Sequence, residues 1–160
     1  MKTSVQQKLF KGFTLIELLI VIGILGILLA ITLVALNPAR QFSLSNNTKR
    51  ASDVNAILNA IHQYAADHKG LLTGMTITAD GNPYPITNSG VGTDANICAA
   101  IVPLYMAALP ADPLTNNGTP VTDCTTAYVT GYNVLVSTTN NRITVAAPLA
   151  ELQAVVSVTR

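Results

Sequence analysis

The chain has 160 residues, 49% of them hydrophobic and only 11% charged, with nine Lys and Arg against eight Asp and Glu. That is room for one domain of ordinary size, far too apolar for a disordered chain and about half as charged as a usual globular domain, so part of it is expected to lie outside water. A formal net charge of +1 excludes a polybasic nucleic-acid arm or an acidic tail as the dominant feature.

The excess apolarity sits near the N-terminus. Leu18 to Leu36 reads LLIVIGILGILLAITLVAL, nineteen residues in which Thr32 is the one polar side chain. At about 1.5 Å per residue, Phe13 to Leu36 covers roughly 36 Å, enough to cross a hydrocarbon core of about 30 Å. A cleaved secretory signal is the alternative, because Lys2, Lys8 and Lys11 precede the run. The run outlasts the roughly 7 to 15 apolar residues of such a signal, and it closes on Val34-Ala35-Leu36-Asn37-Pro38 without an Ala-x-Ala site. Arg40 alone stands close behind the span, so the positive-inside rule places the N-terminus in the cytoplasm.

Glu17 interrupts the apolar stretch just after its start at Phe13. An ionised carboxylate inside a span costs about 2.5 to 3.5 kcal/mol on insertion scales. It either marks the membrane boundary, where the N-terminal helix dipole tolerates an anion, or needs a cationic partner. The flanking residues bear on this choice. Lys11-Gly12-Phe13-Thr14-Leu15-Ile16-Glu17-Leu18 resembles the processing site of type IV prepilins: a short basic leader, a glycine before the cut, a methylatable phenylalanine after it, and a glutamate early in the mature chain. The resemblance implies cleavage between Gly12 and Phe13 by a membrane-embedded prepilin peptidase on the cytoplasmic side, followed by N-methylation of Phe13. It also implies that Glu17 meets the N-terminal amine of a neighbouring subunit in the filament core, an amine that exists only after cleavage. Removing residues 1–12 takes three lysines with it and leaves six basic against eight acidic residues, a formal charge of −2.

Past the span, Pro38 lacks an N–H and crowds the carbonyl of Val34, so a kink is expected there. From Ala51 the apolar positions Ala51, Val54, Ile57, Leu58, Ile61 and Ala65 recur at three- and four-residue steps, one face of an amphipathic helix. Gly70 closes it as a left-handed cap after His68 and Lys69. The reading is one long helix over 13–69, greasy all round in its first half and one-faced in its second. The run Arg50-Ala51-Ser52-Asp53-Val54, with Ile57, Ala60, Tyr64 and Asp67, also resembles pilin-like proteins; taken alone, Arg50 and Asp53 read as a surface pair of little energetic weight.

Residues 70–141 hold no Lys or Arg but four acids, Asp80, Asp94, Asp112 and Asp123. Asp80-Gly81-Asn82-Pro83 is a turn, and 94–109 reads as short helical turns interrupted near Pro103. Strand-period alternation then predicts strands over 128–138, 142–147 and 154–158, with a turn at Thr139-Asn140-Asn141. The fold class is therefore α+β, pilin-like: a long N-terminal helix packed on a small antiparallel sheet. Its parts are a cleaved basic leader (1–12), a transmembrane and filament-core helix (13–36), an amphipathic continuation (37–69) and a globular head (70–160).

Cys98 and Cys124 allow one disulfide on the non-cytoplasmic side, where oxidation is permitted. Closing a loop of about 25 residues contributes on the order of 3 to 4 kcal/mol in the chain-entropy model. His62 and His68 are six apart on a helix, too far round the axis to hold one metal, and are expected on the solvated side. No nucleophile elbow, redox pair, zinc motif or phosphate loop appears, so no enzyme is expected. Asn46-Asn47-Thr48 and Asn117-Gly118-Thr119 match glycosylation sequons, a cheap match in an Asn- and Thr-rich chain.

Leu109-Pro110-Ala111-Asp112-Pro113 resembles the loop of major type II pseudopilins, in which an Asp-Pro turn precedes a calcium site. Asp112, Asn117 and Asp123 are the weak candidate ligands here, with Leu114 where an aromatic residue is usual. The expectation is no cofactor, little dependence on calcium and a head fastened by its disulfide, which leans toward a pilus subunit over a pseudopilin. The expected function is that of a homopolymeric filament subunit, extracted from the inner membrane into a periplasmic or cell-surface filament, with the peptidase, the assembly machinery, the membrane and further copies as partners. In the filament the helix is expected to lose regular hydrogen bonding between Gly26 and Pro38, where helix propensity is lowest. A type II secretion or DNA-uptake pseudopilin is the alternative, and a membrane-anchored sensor a more distant one, since a leader of twelve residues is no cytoplasmic domain. Specific nucleic-acid binding is not expected from an acidic head.

Overall fold

The computed structural model describes residues 12–90, 92 and 94–160; the leader lysines Lys2, Lys8 and Lys11 lie outside the described residues. Two units follow one another along the chain, Met1–Gln41 and Phe42–Arg160.

In the first unit, α1 runs over Leu15–Leu36, and none of its 22 residues is buried. A helix satisfies all of its interior backbone groups by itself, which is what a segment apolar on every side needs in lipid. Its one interior polar side chain, Thr32, donates its hydroxyl to the Leu29 carbonyl at 3.0 Å. Gly26 sits in regular helix. The expected kink at Pro38 is displaced by one residue and is a full break. Asn37 takes a left-handed conformation (φ 41°, ψ 78°) and ends α1. Its Oδ1 accepts the Arg40 N–H at 3.3 Å. Pro38 then opens α2 (Pro38–Asp67) at the first helical position, where its missing N–H costs nothing.

Within the second unit, α2 buries Val54, Ile57, Leu58, Ile61 and Tyr64 along one stripe, and Gly70 (φ 84°) lies just beyond its end. The sheet is antiparallel, in the order β1 (Tyr84–Thr87), β2 (Val129–Val136), β3 (Ile143–Ala146), β4 (Ser157–Thr159). Strand alternation turns Tyr132, Val134 and Val136 of β2 and Ile143 and Val145 of β3 into one core with the α2 stripe. Each such aliphatic side chain contributes about 1.5–3 kcal/mol on burial. The strand β1 is absent from the sequence expectation because Pro85 and a bulge between Pro85 and Thr87 break its pattern; at a sheet edge both are tolerated. The helix expected over 94–109 shrinks to the single turn α3 (Cys98–Ile101), because Val102, which precedes Pro103, is extended.

Gly131 fixes how the long connection 102–128 lies on the sheet. Its φ is 81°, and a Cβ there would stand 2.6 Å from the Thr115 Oγ1 and 2.8 Å from the Asp112 Cβ. The missing side chain lets the turn from Asp112 to Thr115 lie against β2, where the Asp112 N–H donates to the Thr130 carbonyl at 2.7 Å. Cys98 and Cys124 form a disulfide, with Cα atoms 5.4 Å apart.

Candidate processing and assembly site, and the polar anchor of the head

The residues around the expected cut are open. Phe13 is 85% exposed, and a side chain added at Gly12 would meet nothing within 4 Å. Among the described residues, no contact therefore requires glycine at position 12. Thr14 caps α1: its hydroxyl accepts the Glu17 N–H at 3.3 Å. Glu17 returns the contact, its Oε2 accepting the Thr14 N–H at 2.8 Å and the Thr14 hydroxyl at 2.7 Å. The carboxylate is thus held by its own chain, at the positive end of the helix dipole. The role of Thr14 was not read from the sequence, although Thr14-x-x-Glu17 ahead of an apolar run is the signature of this box.

A second polar constellation ties α2 to the head, and it corrects the reading of Arg50 as half of a surface pair with Asp53. Arg50 is fully buried. Its Nε and Nη2 donate to the two Asp112 oxygens at 2.6 and 3.0 Å, and its Nη1 donates to Glu151 at 2.9 Å and to the Asn47 Oδ1 at 2.9 Å. The planar fork suits this two-pronged grip on a carboxylate. Asp112 raises the guanidinium's affinity for its proton, against the opposing effect of burial.

Glu151 is gripped in turn by Ser43 at 2.9 Å and by Asn46 at 2.9 Å. Asn47 bonds its backbone on both sides, at 2.8 and 2.9 Å. Hydrogen bonds from Asn46, Arg50 and Ser43 hold the Glu151 carboxyl below the usual glutamate value. Asp53 turns the other way, accepting from Lys49 at 3.1 Å and from the Tyr132 hydroxyl at 2.7 Å. Burial, with Asp53 second, pushes the Tyr132 phenol well above its ordinary value. Lys49 also donates to the Ala111 carbonyl at 2.9 Å.

The calcium candidates look different in this setting. Both Asp112 oxygens are occupied by Arg50, and Asp123 is turned onto Thr125, whose N–H and hydroxyl donate to it at 2.9 and 2.6 Å. Asn117 takes a left-handed conformation within a 3-10 turn. Among the described residues, no three His, Cys, Asp or Glu side chains stand where they could hold one ion. His68 is exposed as expected and stacks on Tyr64 with ring centroids 3.9 Å apart. His62 is not on the solvated side but half-buried, with its Nε2 out of solvent and unpartnered.

Residues 7–33 match the family described as Prokaryotic N-terminal methylation motif. Over 115 residues the chain is 30% identical to the Type II secretion system core protein G of Escherichia coli (strain K12), an alignment covering 67% of this chain and 68% of that protein. No solved structure matches. The residues that match the methylation motif take in Gly12, Phe13 and Glu17 and most of α1, and the similarity to the secretion protein spans two thirds of both chains. A long apolar helix ahead of a second helix and a four-stranded antiparallel sheet completes the pattern, and the chain belongs to the type IV pilin-like family of pilin and pseudopilin subunits.

Proposed function

We propose that this chain is the repeating subunit of a secretion-type pseudopilus. It is cut between Gly12 and Phe13 by a prepilin peptidase on the cytoplasmic face, methylated on Phe13 and polymerised through α1. The observation that carries the polymer reading is α1 itself, 22 residues of which none is buried within the subunit. In the membrane that surface faces lipid, and in a filament it faces the same helix of other copies. Glu17 then exchanges its capping contacts with Thr14 for the amine at Phe13 of a neighbouring copy, which the uncut chain does not offer. The N-terminus lies in the cytoplasm and the head outside.

The similarity to the secretion core protein supports the pseudopilus over the surface pilus that the loop chemistry alone favoured. One observation keeps the pilus as a second reading: Asp112 is engaged by an internal guanidinium and the head carries a disulfide, so neither feature asks for calcium. Two measurements test the proposal. Mass spectrometry of the mature chain is expected to find methylated Phe13 at the N-terminus. Immunogold electron microscopy is expected to find the chain in short periplasmic or overexpression-dependent fibres. A mature N-terminus elsewhere removes the processing step, and long native surface fibres restore the pilus.

A further inference from the structure

Of the ten residues between β3 and β4, Ala147 is buried in the core and Val156 packs against it, while the loop 148–155 between them contributes no core side chain. Leu149, Leu152 and Val155 on it are 44%, 49% and 91% exposed. Leu152 and Gln153 both hold positive φ, 57° and 56°, a conformation that side-chain-bearing residues adopt only when the surroundings impose it. The residue just before them, Glu151, is fastened by Ser43, Asn46, Asn47 and Arg50. These four positions, spaced 0, 3, 4 and 7, form one stripe on the first turns of the head's share of α2. A strained loop that is firmly bolted down and shows aliphatic side chains to solvent is a built surface.

We infer that the loop from Pro148 to Val155, with Phe42 and Leu44 of α2, is a contact surface for a second copy of this chain in the filament. The inference rests on the polymer reading above. Two observations select a second copy as the occupant. Phe42 and Leu44, 71% and 39% exposed, follow α1 by only a few residues, so copies that bundle through α1 bring these turns together. The head also carries five basic against seven acidic residues over 42–160, so identical heads repel one another. Residues 42–48 carry no charge, and 143–156 carry only Glu151, whose carboxylate is turned inward onto Ser43, Asn46 and Arg50. This is where like heads can touch with the fewest charges of one sign facing each other. Exposed aliphatic area closed off in that way gains the hydrophobic contribution of burial without a desolvated ion.

The experiment uses the full chain in cells that assemble it. Val155→Asp and Leu152→Asp are expected to reduce sheared filament mass by about tenfold or more while membrane levels of the subunit and the Cys98–Cys124 disulfide stay at wild-type levels. A photo-crosslinking residue at 155 in otherwise unchanged filaments is expected to join two copies of the chain, and this readout does not depend on how the aspartate variants fold. Wild-type filament mass in both aspartate variants overturns the inference, as do crosslinks from position 155 to lipid or to other proteins without the homodimer. A wild-type chain that forms no filaments under the same conditions overturns the polymer reading and this surface with it.

Discussion

Arg50 serves two carboxylates from one buried guanidinium, and this unequal charge count gives it more weight than any exposed pair in the head. Its side chain and that of Asp112 are both inaccessible to solvent, whereas the Lys49 and Asp53 side chains keep 44% and 14% of their surface. Removing one member of a buried pair leaves the other desolvated and unmatched, at a cost of about 3–5 kcal/mol, while exposed pairs are worth less than about 1 kcal/mol. Arg50→Ala is therefore expected to destabilise the head several-fold more than Lys49→Ala, as read by denaturant unfolding of the detergent-solubilised chain. Equal losses would mean that the guanidinium is better hydrated than its burial implies. Glu151 adds a pH dependence of definite sign. Its folded pKa lies below the ordinary glutamate value of 4.5. Its contribution is complete above that value and is lost as the pH falls through the lowered folded value. Glu151→Gln is thus expected to lower stability near neutrality, where the contribution is complete, and to flatten the acid limb below about pH 4.5, so that the two profiles converge as the pH falls.

At the scale of elements, the first helix was fully legible and its neighbours less so. Nineteen residues with Thr32 as their one polar side chain are a local signal, and all of them lie in α1. Arg50 was misread because its partners Asp112 and Glu151 lie 62 and 101 residues away; the helical spacing that pointed to Asp53 is real, but Asp53 was taken by Lys49 and Tyr132. β1 was missed because Pro85 suppresses a strand pattern that an edge tolerates. The break after Leu36 was placed on the proline, although the left-handed turn falls on the asparagine before it. Two expected outcomes belong to this scale. Because a side chain at position 12 would begin more than 4 Å from any other described part of the fold, a bulky residue at Gly12 should leave the fold intact and block cleavage alone, so an uncut chain of unchanged thermal stability is expected on gels and in melting curves. Glu17→Val removes the capping contacts to Thr14 and the intersubunit partner together. It is expected to insert into the membrane normally and to abolish or strongly reduce filaments made by this variant alone; filaments at wild-type level would sink the pairing.

Over the whole molecule, the question is what fastens the long connection 102–128 to the rest of the head. Three clasps are present: the Arg50 fork on Asp112, the close seat of the turn from Asp112 to Thr115 over Gly131, and the Cys98–Cys124 disulfide. A calcium ion placed beside Asp112 would have to displace a guanidinium that already satisfies both carboxylate oxygens, and it would then leave Arg50 buried without its main partner. Asp123 is turned away onto Thr125, so a hard cation has few oxygens to gather. The disulfide, by contrast, limits the unfolded chain across 26 residues of separation, for about 3–4 kcal/mol in the chain-entropy model. We therefore expect reductant to lower the thermal midpoint of the solubilised chain by many degrees, and calcium or a chelator to move it little. A large rise with calcium that survives reduction would mean that the connection can rearrange away from Arg50 to build an ion site, and it would reassign the role of Asp112 from anchor to ligand.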